Sequence, residues 1–137
     1  MAYSQGKDRR RYKRVPVRMV LEMEVGEEKH RTRLETLNMS AGGFSCRMDR
    51  PIEALTLLRL GLIFPAFAGR EEAHEIDCTA VIVRCDIWSQ EPDAGYEIAA
   101  AFTWITPQNR QLLSDYLEWY ETVYLMGKDS NENRQAV

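Results

Sequence analysis

Apolar residues recur at every second position through most of the chain, then at every third or fourth position near its end. Between 15 and 25, Val17, Met19, Leu21, Met23 and Val25 share one side, while Arg18, Val20, Glu22 and Glu24 share the other. Successive side chains of an extended chain point to opposite faces, so this alternation predicts a half-buried strand. Gly26 with Glu27 and Glu28 predicts a turn into a second strand over 30–37. The third strand is expected at 43–48, with Phe44 and Cys46 on one side, and the fourth over the apolar run 56–64, ended by Pro65. A fifth at 76–85 places Ile76, Cys78, Ala80, Ile82 and Arg84 together on one face, and a sixth covers 96–105. Short strands separated by turn signals predict a mainly all-β fold, an antiparallel barrel or sandwich.

The period changes at Thr106-Pro107, a capping hydroxyl followed by proline at the first helical position. Beyond it Leu112 or Leu113, Tyr116 or Leu117, Tyr120 and Val123 or Tyr124 mark one face of a C-terminal α-helix ending near Gly127. Closing an open end of the barrel is the simplest way to bury that stripe. Tyr116, Trp119, Tyr120 and Tyr124 read as packing residues, though Trp119 falls off the stripe and leaves a partner-binding face as the alternative. The 137 residues suit one domain. Residues 1–8 read as a flexible leader, 9–126 as the domain, and 127–137 as a disordered tail.

Charge sharpens this picture. The net charge is −3, yet Lys7, Arg9, Arg10, Arg11, Lys13 and Arg14 stand against Asp8 alone within eight positions. That local +5 leaves −8 on the other 129 residues. An acidic body with one basic corner suits a compact anion held at one place better than it suits coating a nucleic acid. The bland alternative is a solvated tail. No apolar run of membrane-spanning length and no signal-like leader is present, and three cysteines without C-x-x-C spacing fit a reducing cytoplasm.

Candidate chemistry lies in two stretches. Arg10-Arg11-Tyr12-Lys13-Arg14 directly precedes the first strand, and Asn38-Met39-Ser40-Ala41-Gly42-Gly43 falls in the connection expected between strands two and three. Guanidinium groups bind phosphate oxygens or a guanine edge in a fork, and they stack on purines. Asn38 and Ser40 supply short polar groups for a base edge or for their own turn. Gly42 and Gly43 permit close backbone approach and positive φ.

R-x-x-x-R followed 20–30 residues later by D/N-x-S-x-x-G, within a six-stranded antiparallel β-barrel, resembles the PilZ domain. Arg10 and Arg14 match the first motif; Asn38, Ser40 and Gly43 match the second. The likeness covers roughly 8–125, and members of the family are bacterial receptors for cyclic di-GMP. It implies that Arg10 and Arg14 grip phosphate and guanine, that Asn38 and Ser40 bind the guanine, and that Gly43 keeps the approach open. Arg9, just before the motif, is similar to the pattern that accompanies two stacked ligand molecules per chain; its plainer reading is a solvated arm residue. An extra guanidinium there would offset the charge of a second dianion.

The resulting expectation is a receptor without catalytic activity, cofactor or metal. Its arginine arm, residues 7–14, orders on cyclic di-GMP, and the changed surface passes the signal to a downstream protein because no output domain is visible. The alternatives are a small β-barrel for single-stranded nucleic acid and a PilZ-like interaction module without ligand. The cysteines read as core residues, and neither His30 nor His74 has metal-ligand spacing. Ser40 lacks a histidine partner and a G-x-S-x-G elbow. Glu71, Glu72, Glu75 and Asp77 form an acidic cluster, either solvated or turned to a basic partner.

Overall fold

A computed structural model describes residues 12–70, 73–88 and 95–126. The leader at 1–8, the tail at 127–137, Arg9, Arg10, Glu71 and Glu72 lie outside the described residues. Six strands, β1 (Val20–Val25), β2 (Thr32–Ser40), β3 (Gly43–Met48), β4 (Leu57–Phe64), β5 (His74–Ile87) and β6 (Tyr96–Trp104), form a closed barrel in the order β1-β2-β3-β6-β5-β4. Every pairing is antiparallel.

The alternating side chains fill the interior. Leu21 and Met23 of β1, Leu58, Leu60 and Leu62 of β4, Ile82 of β5 and Ile98 of β6 are all sealed from solvent. Each such side chain contributes about 1.5–3 kcal/mol by leaving water. The helix α1 (Pro107–Trp119) begins as its sequence requires, with Thr106 accepting a hydrogen bond from the Asn109 amide at 3.1 Å and Pro107 following it. Its buried residues Leu113, Tyr116 and Leu117 close the barrel end where β4 and β6 finish. There Tyr116 meets Phe64 and Phe67 edge-on, with ring centroids 5.5 and 5.0 Å apart. A π-helical segment, Tyr120–Met126, continues the chain.

Several expectations needed correction. The first strand enters the ladder at Val20, not Val15, although Val17 and Met19 keep the predicted burial and Val15 is buried as well. Pro16 has no N–H to offer a ladder, and the Val17 amide turns back to the Val15 carbonyl at 2.8 Å. The Thr36 hydroxyl repairs the gap: it accepts from the Met19 amide at 2.9 Å and donates to the Val17 carbonyl at 2.6 Å. Arg84 does not join the core face of β5. A bulge between Ile82 and Arg84 adds one residue, turning Arg84 outward and leaving Cys85 packed against the core. Trp119, by contrast, packs on Phe67 and Tyr116 at 5.8 and 5.9 Å, as expected of a packing residue and not of a partner-binding face.

Candidate functional site

The second motif is mostly strand. Asn38 and Ser40 belong to β2 and Gly43 opens β3, so the connection shrinks to Ala41 and Gly42. N-x-S-x-x-G carries turn-forming residues, but pairing of Asn38 with Ser45, Met39 with Phe44 and Ser40 with Gly43 extends the ladder almost to the tip. Met39 faces the core, so Asn38 and Ser40 face outward. The Ser40 hydroxyl accepts from the Gly42 amide at 3.0 Å and tightens the turn.

The end of the first motif docks onto this hairpin. Val15 forms an isolated bridge to Met39, which places Arg14 beside Ser40. The Tyr12 ring lies against Gly42, where an added β-carbon would stand 2.8 Å from Tyr12 Cδ2. Arg110 of α1 sits over that ring at 5.4 Å and donates to the Ala41 carbonyl at 2.8 Å. Lys13 pairs with Glu121 at 2.9 Å, an exposed contact of small stabilising effect. Tyr12, Lys13 and Arg14 thus dock on the hairpin and on α1, while residues 7–11 of the arm lie outside the described residues. Backbone bridging and ring packing outweigh repulsion between the charges of Lys13 and Arg14.

These placements form a cavity of about 180 Å³ on the outer barrel wall, lined by Tyr12, Arg14, Ser40, Gly42, Gly43, Val83, Ala99 and Ala101 among others. Arg14 is exposed at its mouth, and Ser40 is 8% exposed. Of the candidate residues, Arg14, Ser40 and Gly43 meet here, and Asn38 stands one row away in the strand register. Gly43 has a structural duty of its own, because a β-carbon there would lie 2.1 Å from the Ala100 carbonyl oxygen of β6. The sequence reading missed Tyr12, Val83, Ala99 and Ala101. The run Ala99-Ala100-Ala101 carried the usable signal: methyl side chains at alternate outward positions leave a flat wall for a planar group.

A neighbouring cavity of about 240 Å³ between the lead-in and α1 is lined by Lys13, Glu118 and Glu121 among others; Lys13 is paired with Glu121, and the net negative set suits an anion poorly. The core thiols are protonated. Burial, with Glu97 adding to it, pushes Cys46 up to about 12, and burial with Asp77 does the same to Cys78. Among the described residues, no cluster of three or more His, Cys, Asp or Glu side chains could hold a metal ion, and no helix is long and apolar enough to cross a membrane. Of the acidic cluster, Glu75 faces Arg31 at 3.8 Å across the strand-centre Gly61.

The family model for the PilZ domain matches residues 8–119. Among solved structures, the Bacillus subtilis inhibitor of motility (MotI/DgrA) is similar with a TM-score of 0.70 and 20% identity, over 86% of this chain and 54% of that one. The PilZ domain with c-di-GMP of YcgR from Escherichia coli gives 0.57 and 10%, over 95% and 100%. The K. pneumonia MrkH–c-di-GMP complex gives 0.54 and 14%, over 91% and 56%. The chain thus spans little more than half the length of the first and third. No curated protein matches it in sequence. At these identities the structural likeness speaks for the fold.

Proposed function

The chain belongs to the PilZ domain family, and from that premise we propose that it is a bacterial receptor for cyclic di-GMP, acting in the cytoplasm without chemistry of its own. One observation supports this above the others: Arg14, Ser40 and Gly43, drawn from two separate motifs, line a single cavity. The ligand is a dianion with two flat bases. Arg14 takes a phosphate through charge-assisted hydrogen bonds, while Asn38 and Ser40 hold a guanine edge against the alanine wall. Arg10 completes the grip from the preceding arm, and Arg9 offsets the charge of a second, stacked nucleotide. Residues 7–11 close over the ligand from the already docked Tyr12, and the altered surface passes the signal to a downstream protein.

Calorimetry with cyclic di-GMP tests the reading. The wild-type chain is expected to release or absorb heat on titration, and Arg14→Ala to lose binding while melting within a few degrees of wild type, since Arg14 is exposed. A well-folded wild-type chain that gives no response at high micromolar nucleotide, or an Arg14→Ala chain of unchanged affinity, contradicts it.

A further inference from the structure

Ser45 lies at the centre of the same outer face and belongs to neither motif. Phe44 and Cys46 on either side point into the core, so its hydroxyl points outward. The strand register sets it between Asn38 on β2 and Ala99 on β6. Ser40 and Gly43 form the next row, and Ala99 is part of the cavity wall. Yet Ser45 is only 2% exposed, and among the described residues its Oγ has no hydrogen-bond partner. A buried hydroxyl left unbonded destabilises a fold. Alanine would avoid that cost, and alanine occupies both outward positions beside it on β6, at 99 and 101.

We propose that the Ser45 hydroxyl is a further ligand-binding group, completing with Asn38 and Ser40 a polar edge that hydrogen-bonds one guanine base. The inference rests on the proposed ligand and extends its site by one residue. The chemistry matches: a hydroxyl and a carboxamide each donate and accept, and a guanine edge carries N–H donors beside carbonyl and ring-nitrogen acceptors. Ser45 is sealed and lies one row from Ser40 and Gly43 of the cavity lining, so the contact requires the side chains over that row to part, and the orphaned hydroxyl then gains its bond. The unbonded group is then a cost of the free state that the complex removes.

The test compares wild type, Ser45→Ala and Ser45→Thr by thermal melting and by calorimetry with cyclic di-GMP. Ser45→Ala is expected to melt at or above the wild-type temperature while binding about tenfold more weakly, the scale of one hydrogen bond. Ser45→Thr, which keeps the hydroxyl, is expected to recover most of that affinity. Wild-type affinity in Ser45→Ala overturns the inference and leaves the receptor reading intact. A lower melting temperature in Ser45→Ala also overturns it, because the hydroxyl would then be bonded within the fold. A wild-type chain without affinity for the nucleotide removes the ligand itself, a failure distinct from the other two.

Discussion

Val15 and Met39 exchange two backbone hydrogen bonds, Val15 N–H to the Met39 carbonyl at 2.8 Å and Met39 N–H to the Val15 carbonyl at 2.9 Å. This lone rung carries the lead-in onto the outer edge of β2. It is why a cationic side chain at 14 and a hydroxyl at 40 come to share one cavity.

Ser40 has two duties, and its removal is expected to register in both. Ser40→Ala withdraws the acceptor for the Gly42 amide, costing about 0.5–1.5 kcal/mol of stability. It also weakens nucleotide binding by about 1–2 kcal/mol, the scale of a hydrogen bond to a charged or buried partner. Urea denaturation measures the first effect and calorimetry the second; a change in stability alone would assign Ser40 to the turn only.

Gly43→Ala is expected to damage the fold before the ligand matters. The added methyl would meet the Ala100 carbonyl at 2.1 Å, and that oxygen belongs to the backbone of β6, the strand paired with β3. The barrel must shift, at about 2–3 kcal/mol or more. A Gly43→Ala chain with an unchanged melting curve would show that β3 and β6 can separate without penalty.

Thr36→Val tests the repair at the start of β1. Shape is nearly kept, but the Met19 amide loses its acceptor and the Val17 carbonyl its donor, both at a residue 1% exposed. The expected loss is about 2–3 kcal/mol, read from the denaturant midpoint. A midpoint equal to wild type would mean that these backbone groups find other partners.

Cys46 and Cys78 should resist alkylation in the native chain at mildly alkaline pH and react after unfolding, since both thiols are held up at about 12. The linkage has a sign. A group whose folded pKa is raised favours the folded state below its ordinary value of 9.0, and that contribution falls away as pH climbs from there toward 12. Denaturation midpoints measured from pH 8 to 11 should therefore decline above pH 9. Burial also raises Tyr116, which adds in the same direction.

Arg9→Leu addresses stoichiometry. Two nucleotides per wild-type chain and one per Arg9→Leu chain are the expected calorimetric results, because the second dianion loses its counter-charge. A single nucleotide on the wild-type chain, or two on the variant, would return Arg9 to a solvated arm residue.

Much of the fold is legible because its causes are local. Alternation from Val15 to Val25 foretells which side chains are buried even where the ladder itself is absent. Thr106 and Pro107 place the helix start to the residue. Counting by twos puts Arg84 on the core face because it assumes an unbroken strand, whereas the bulge before it comes from pairing with β6, some fifteen positions later in the chain. Asn38 and Ser40 read as part of a connection because their side chains favour turns. Partners on β3 then drew their backbone into the sheet.

The amino-acid order alone determined the inward and outward faces of the unbroken strands, the capped start of the closing helix and the two polar motifs, since each depends on neighbours a few positions away. Only the tertiary structure decided that Arg14 stands beside Ser40, that Gly43 must be glycine because Ala100 occupies its side-chain space, and that Ser45 is buried without a partner among the described residues. Those facts arise from register and barrel closure between segments distant in sequence, and side-chain periodicity carries no information about either.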